Sequence, residues 1–204
     1  MFRVLTVARE YGSGGAVIAR KISERLGWRF LDKALIEEIA NVARVDPELA
    51  RRYDERIDSW VHRVSRSGLW HGGFEAVPAL SDTDVFDCDT MTALARHLIE
   101  EAYDGGKCVI VGRGGQCVLQ NRRDAFHVFV YAPWSDRVAR VRGRVPEGTD
   151  IESLIRSTDR QRAEHIRVNF GCDWADPHLY HMLISSELSE ETTASIIIDA
   201  LRQQ

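Results

Sequence analysis

The chain has 204 residues, 44% of them hydrophobic and 28% charged, which suits one soluble globular domain with a sizeable core. Its formal net charge of −4 sets up no overall field for nucleic acid or an anionic membrane, so any anion site has to come from a local cluster of arginines. Cys88, Cys108, Cys117 and Cys172 stand without CxxC spacing, which speaks against a zinc or disulfide framework, and no apolar run approaches the ~20 residues of a membrane span.

The opening, MFRVLTVARE, reads as a short strand with early charges and not as a signal peptide, so the cytoplasm is the expected compartment. Val4 to Val7 form that strand. Behind the glycine-rich turn GSGG, Ile18, Ile22 and Leu26 make an apolar stripe, Arg20, Lys21, Glu24 and Arg25 point elsewhere, and Gly27 stops the helix. Trp28 to Leu31 read as a second strand and Leu35 to Val42 as a helix. Residues 60–90 break the pattern by mixing Gly, Pro and Ser with aromatics, as a long and mobile excursion from the core does. Met91 to Tyr103 form a helix that ends at Gly105-Gly106, followed by strands at Cys108 to Val111 and Phe126 to Tyr131. Trp134 to Arg142 and Ile151 to Val168 are helical and arginine-rich. A last strand, Tyr180 to Ile184, precedes a helix capped by Ser189, with Glu190 and Glu191 in its first turn and Ala194, Ile197, Ile198 and Leu201 on one face. Continuously apolar strands joined by helical crossovers predict an α/β fold: one domain over 1–204, a five-stranded parallel sheet with helices on both faces in three layers. The first strand is expected at the centre, because the glycine turn at its end has to face a ligand crevice.

That turn raises a question of charge. A phosphate-binding loop reads G-x-x-x-x-G-K-[ST]: backbone N–H groups cradle phosphate, the lysine reaches the outer phosphates and the hydroxyl holds magnesium. With Gly14 as the second glycine, Arg9 falls on the first, Gly15 on the lysine and Ala16 on the hydroxyl. The pattern fails, but the context fits: three glycines open a helix straight after a strand, and helix N-termini bind anions. Arg9 supplies a positive charge from the other end of the loop. A tight strand-to-helix turn that needs Gly for positive φ is the competing reading. Glu10, unusual beside phosphate, either pairs with an arginine or argues against tight triphosphate binding.

The stretch VAREYGSGGAVIARKISERLGW resembles the opening of the cytidylate kinase-like family, relatives of bacterial cytidylate kinase. Three further segments resemble that family in order: FLDKALIEEIA (30–40), VIVGRGGQCVL (109–119) and DRQRAEHIRVNFGCDWADPHLYHMLISS (159–186). The resemblance spans nearly the whole chain. It implies a P-loop kinase-type fold, small-molecule nucleotide substrates and ATP with Mg2+ as phosphoryl donor. Two departures lie in the site. Many relatives have Arg where this chain has Ala16, and cytidylate kinases proper carry the Gly-Lys pair. The Asp that follows the acceptor-binding arginine in cytidylate kinases is Gly114 here.

Phosphoryl transfer rests on positioning and charge neutralisation, so arginines and one or two acids are the candidates. Arg9, Gly12, Ser13, Gly14 and Gly15 make the expected donor-phosphate site, ATP is expected to bind more weakly than in lysine-bearing relatives, and Gly15→Lys, alone or with Ala16→Ser or Thr, is expected to tighten ATP binding if the turn has P-loop geometry. Arg113, after the third strand, resembles the arginine that holds the acceptor's phosphate, with a surface arginine in a turn as the plain alternative. The lid is expected at 134–168, with Arg140, Arg144 and Arg162 the arginines that neutralise the transferring group and a solvated helix face the alternative for each. Arg140 and Arg144 are expected four apart on one helical side. Asp32 is a candidate for acceptor binding, hydroxyl positioning or help with magnesium, and equally a helix N-cap. Trp174 and Tyr180 either stack on a base or close the core, packing being favoured for Trp174. The seven histidines form no metal set, His178 and His181 included. Three readings follow: a nucleoside-monophosphate kinase acting on CMP or dCMP, a non-catalytic nucleotide- or phosphate-binding pseudokinase of the same fold, and a kinase for a non-nucleotide alcohol, with 60–90 on the acceptor side. The oligomeric state stays open.

Overall fold

The computed structural model describes residues 2–32 and 88–203. The helix expected at Leu35 to Val42 lies outside the described residues. So does the excursion at 60–90, except that positions 88–90 are already helical.

Five strands, Val4–Arg9 (β1), Arg29–Leu31 (β2), Cys108–Val111 (β3), Ala125–Tyr131 (β4) and Met182–Ser185 (β5), form one sheet in the order β2-β3-β1-β4-β5. Every pairing is parallel, with Val4 opposite both Cys108 and Ala125. β1 is central, as the position of the glycine turn requires. The helices are Gly15–Leu26 (α1), Cys88–Gly105 (α2), Gly115–Val118 (α3), Trp134–Arg142 (α4), Ile151–Phe170 (α5) and Glu190–Arg202 (α6). Two compact units divide the chain, Met1–Leu31 with Ile99–Gln204 and Asp32–Leu98.

Alternation along buried strands sorts side chains to two faces. Leu5, Val7, Val109, Val111, Phe126, Val128 and Val130 meet Ile18, Ala19 and Ile22 of α1 and Ala194, Ile197, Ile198 and Leu201 of α6. Ile18 and Ile22 are wholly buried, worth roughly 1.5–3 kcal/mol each. This pins α1, and with it the turn that α1 leaves. On the opposite face Ala8 and Phe129 pack with Leu179 and Tyr180, and Cys117, Cys172 and Trp174 close over them. A third cluster ties Tyr11 of the turn to Val141 of α4 and Ile155 of α5. Its consequence is that α4 and α5 share a core with the turn itself.

Candidate functional site

β1 ends at Arg9 and α1 begins at Gly15. Between them the backbone takes the left-handed conformation at Gly12 (φ 80°) and Gly14 (φ 79°). A Cβ on Gly12 would stand 2.9 Å from the Arg137 carbonyl oxygen, so space as well as φ demands glycine there.

The hydrogen bonds of this turn fall on one side. Every carbonyl from Arg9 to Ser13 accepts a bond from the protein. Arg162 Nη1 donates to Arg9 at 2.9 Å, Ser13 N to Glu10 at 3.3 Å and Arg137 Nε to Tyr11 at 2.7 Å. Arg140 Nη1 donates to Gly12 at 3.3 Å and Ser186 Oγ to Ser13 at 2.5 Å. Among the described residues the N–H groups of Gly12, Gly14, Ala16 and Val17 find no partner, while that of Gly15 bonds Ser13 Oγ at 3.3 Å. The carbonyls are turned into the protein, while the donors of the buried Gly12 and Gly14 and the half-buried Ala16 and Val17 are left without a protein partner among the described residues, at the N-terminus of α1. An anion is the ligand such a surface suits.

Arg9 packs over Gly15, the position at which the phosphate-loop pattern has its lysine. A Cβ built on Gly15 would stand 2.6 Å from Arg9 Cβ and 3.1 Å from Arg9 Cγ. Real Cβ atoms do not approach so closely. Arg9 therefore fills the space that a side chain at 15 would need, and its guanidinium continues to Gly112, where an added Cβ would overlap Nη1. The expected gain from Gly15→Lys is corrected by this contact: a lysine has no room at 15 while Arg9 keeps its side chain.

The arginines of the expected lid take separate places. Arg137 is buried, ion-paired to Glu10 Oε1 at 3.3 Å and to Asp159 Oδ2. Glu10 thus pairs with an arginine, and its other oxygen accepts the Ala132 N–H at 3.1 Å. Arg140 also donates to Ser186 Oγ (3.1 Å) and carbonyl (3.3 Å). Arg162 reaches from α5 to the end of β1. Both brace the turn's backbone. Arg144 is exposed and lies beyond α4, which stops at Arg142, so it does not continue one helical side with Arg140.

Arg113 follows β3, next to β1 on the same sheet edge. It is held at φ 60° between Gly112 and Gly114, both at φ 74°. A non-glycine residue in that conformation costs of order 1–3 kcal/mol, as it also does at Lys107 (φ 49°) and Ser189 (φ 84°). A Cβ on Gly114 would overlap the Phe170 ring, so the structure leaves no room for a side chain at 114. Burial, and then the charge of Arg113, lowers the pKa of His165 on the same end of α5. Asp32 directly follows β2, whose Leu31 pairs with Ile110. Trp174 and Tyr180 are packing residues: both meet Phe129 with ring centroids 5.1 Å away, and Tyr180 donates to the Trp174 carbonyl at 2.8 Å. His181 Nδ1 accepts the His127 N–H at 3.0 Å.

The site also uses residues that the sequence reading did not single out, namely Asp159, Arg137 as a buried partner, and Ser186. Asp159 opens the DRQRA stretch, and an acid inside an arginine-rich run was the available signal. Ser186 carried none.

Sheet order, crevice-edge turn and open N–H groups define an α/β protein of P-loop kinase type. The chain belongs to the cytidylate kinase-like family, whose sequence model matches residues 4–188. No curated protein matches the chain. Among solved structures it is similar to an uncharacterized protein from Eubacterium ventriosum ATCC 27560, at 21% identity and TM-score 0.66 with 100% of each chain covered. Shikimate kinase from Bacteroides thetaiotaomicron shares the fold at 14% identity and TM-score 0.55, covering 98% of this chain and 99% of that one. A gluconokinase from Sinorhizobium meliloti 1021 does so at 16% identity and TM-score 0.50, covering 98% and 91%. No helix among the described residues is long and apolar enough to cross a membrane.

Proposed function

We propose that the protein is a nucleotide kinase-like phosphotransferase that moves a phosphoryl group from ATP to a nucleoside monophosphate such as CMP or dCMP. What supports this reading is membership of the cytidylate kinase-like family together with the packing of Arg9 on Gly15, which offers a cation from the first glycine position. The open N–H groups of Gly12, Gly14, Ala16 and Val17, together with Arg9, hold the donor's phosphates. Arg113 binds the acceptor's phosphate, and Asp32 is a second candidate for the acceptor. Arg144, exposed beyond α4, neutralises the transferring group. Arg140 and Arg162 act by holding the turn.

The residues fit phosphate better than they fit a metal. Among the described residues no three His, Cys, Asp or Glu side chains come together, and Ala16 presents a methyl where a hydroxyl would face the cation. Mg2+ would arrive on the nucleotide's own phosphates.

Ala16 is also what favours the second reading, a pseudokinase that binds nucleotide without turnover. A coupled ADP-release assay over a panel of nucleoside monophosphates separates the two. Release stimulated by CMP or dCMP supports the kinase. Silence across the panel, with ATP binding intact, leaves the binding protein.

A further inference from the structure

We propose that Asp159 is a positioning residue that locks the Tyr11–Gly12 peptide of the glycine turn in the orientation an anion needs. The role of the lock in phosphate binding rests on the function proposed above, while the lock itself is a matter of backbone geometry.

Asp159 lies in the middle of α5 with its side chain 18% exposed. One oxygen, Oδ1, accepts the Tyr11 N–H at 2.7 Å and lies 3.9 Å from Arg162 Nη1. The other, Oδ2, takes Arg137 Nη2. Arg137 in turn donates Nε to the Tyr11 carbonyl, and Arg162 donates to the Arg9 carbonyl. One carboxylate therefore holds the turn directly and also sets two guanidiniums that hold it.

The peptide at stake is the one between Tyr11 and Gly12. Its carbonyl faces Arg137, and a trans peptide points its N–H to the opposite side. Gly12 tolerates both hands of φ, so sterics alone do not prevent this peptide from flipping. A flip would replace an N–H donor by a carbonyl oxygen in the cradle, which repels an anion. What opposes the flip is the Arg137 bond, and what holds Arg137 in place is Asp159 on one side and Glu10 on the other. With two acids against Arg137 and Arg162 the network is balanced, so it fixes shape without lending net charge to the cradle.

The test is Asp159→Asn, which keeps the volume and an acceptor for the Tyr11 N–H but removes the charge that holds Arg137. Inorganic tripolyphosphate is titrated calorimetrically well below the unfolding temperature, and the Gly12 and Gly14 amides are followed by NMR in the ligand-free protein. We expect the dissociation constant to rise about tenfold or more, with both amides shifted or broadened. Glu10→Gln, on the more exposed side of Arg137, should move both readouts in the same direction by less, and it serves if Asp159→Asn does not fold. A drop in thermal stability with unchanged glycine amides and unchanged affinity would show Asp159 to be a packing residue and overturn the lock. If the wild type binds no tripolyphosphate, the phosphate reading fails, and the glycine amides alone still decide the lock.

Discussion

Gly15→Ala should destabilise the protein, and the loss should depend on what stands at position 9. The new methyl would lie 2.6 Å from Arg9 Cβ, 3.1 Å from Arg9 Cγ and 3.3 Å from Val130 Cβ. Carbon atoms rest at about 3.5–4.0 Å, and both near neighbours belong to the central strands, so the overlap is not relieved by turning a flexible end. Overpacking of this kind costs about 1–3 kcal/mol. Exchange of Gly for Ala in a helix returns up to about 1 kcal/mol. The net expectation is a loss of roughly 1–2 kcal/mol, a fall of about 2–8 °C in Tm for a chain of this size. Arg9→Ala keeps the offending Cβ and should leave the loss unchanged. Arg9→Gly removes it, and in that background Gly15→Ala should be neutral or stabilising. The assay is urea and thermal unfolding of the six proteins in the cycle, with an expected coupling between Arg9→Gly and Gly15→Ala of about 1–3 kcal/mol. Equal losses in all three backgrounds would refute the claim that Arg9 occupies the space over Gly15.

If turnover is established, Arg113→Ala should raise the apparent KM for the acceptor by roughly 10- to 100-fold with little effect on ATP, and Arg113→Lys should recover little, since a point charge does not replace a fork; weakened ATP with intact acceptor kinetics would reverse the two pockets. Stability should fall as the pH drops from about 6.5 towards 4, because burial and then the neighbouring His181 push His127 down to about 4 while the unfolded chain protonates at its ordinary value. The stability is present above the unfolded pKa and is lost on the way down, by roughly 3 kcal/mol in all. His181, lowered by burial, adds to the same window. His127→Gln should flatten the slope between those pH values in urea titrations; an unchanged slope would assign it to other groups.

The fold was legible because a parallel sheet buried on both faces leaves continuous apolar runs, and its strands lie within two residues of where those runs put them. The difference at β5 has a local cause. Tyr180 joins the Phe129 cluster and His181 donates its N–H to the His127 carbonyl, so the strand begins only at Met182. The helix expected to end at Val168 runs on to Phe170, because the left-handed Gly171 supplies the stop. In the candidate site, strand-turn-helix order located the glycine turn and put Arg9 at its start, and left open whether the turn binds a ligand. The bracing of the turn could not. Asp159 and Ser186 lie 148 and 173 positions from their partners, and no local pattern records such a contact. The arginine clusters showed that charge was available. They did not show that Arg137, Arg140 and Arg162 each hold one carbonyl of the same turn, since that depends on how α4 and α5 pack on Tyr11.

The central claim is that the turn binds phosphate with Arg9 in place of a loop lysine. Calorimetric titration of ATP with Mg2+ into the wild type, Arg9→Met and the exchange Arg9→Gly with Gly15→Lys tests it most directly. Methionine keeps the bulk of the arginine stem and removes the charge. The account predicts measurable binding by the wild type, a loss of roughly 10- to 100-fold in Arg9→Met, corresponding to about 1.5–3 kcal/mol, and recovery in the exchanged loop. Equal affinity in the wild type and Arg9→Met would contradict it.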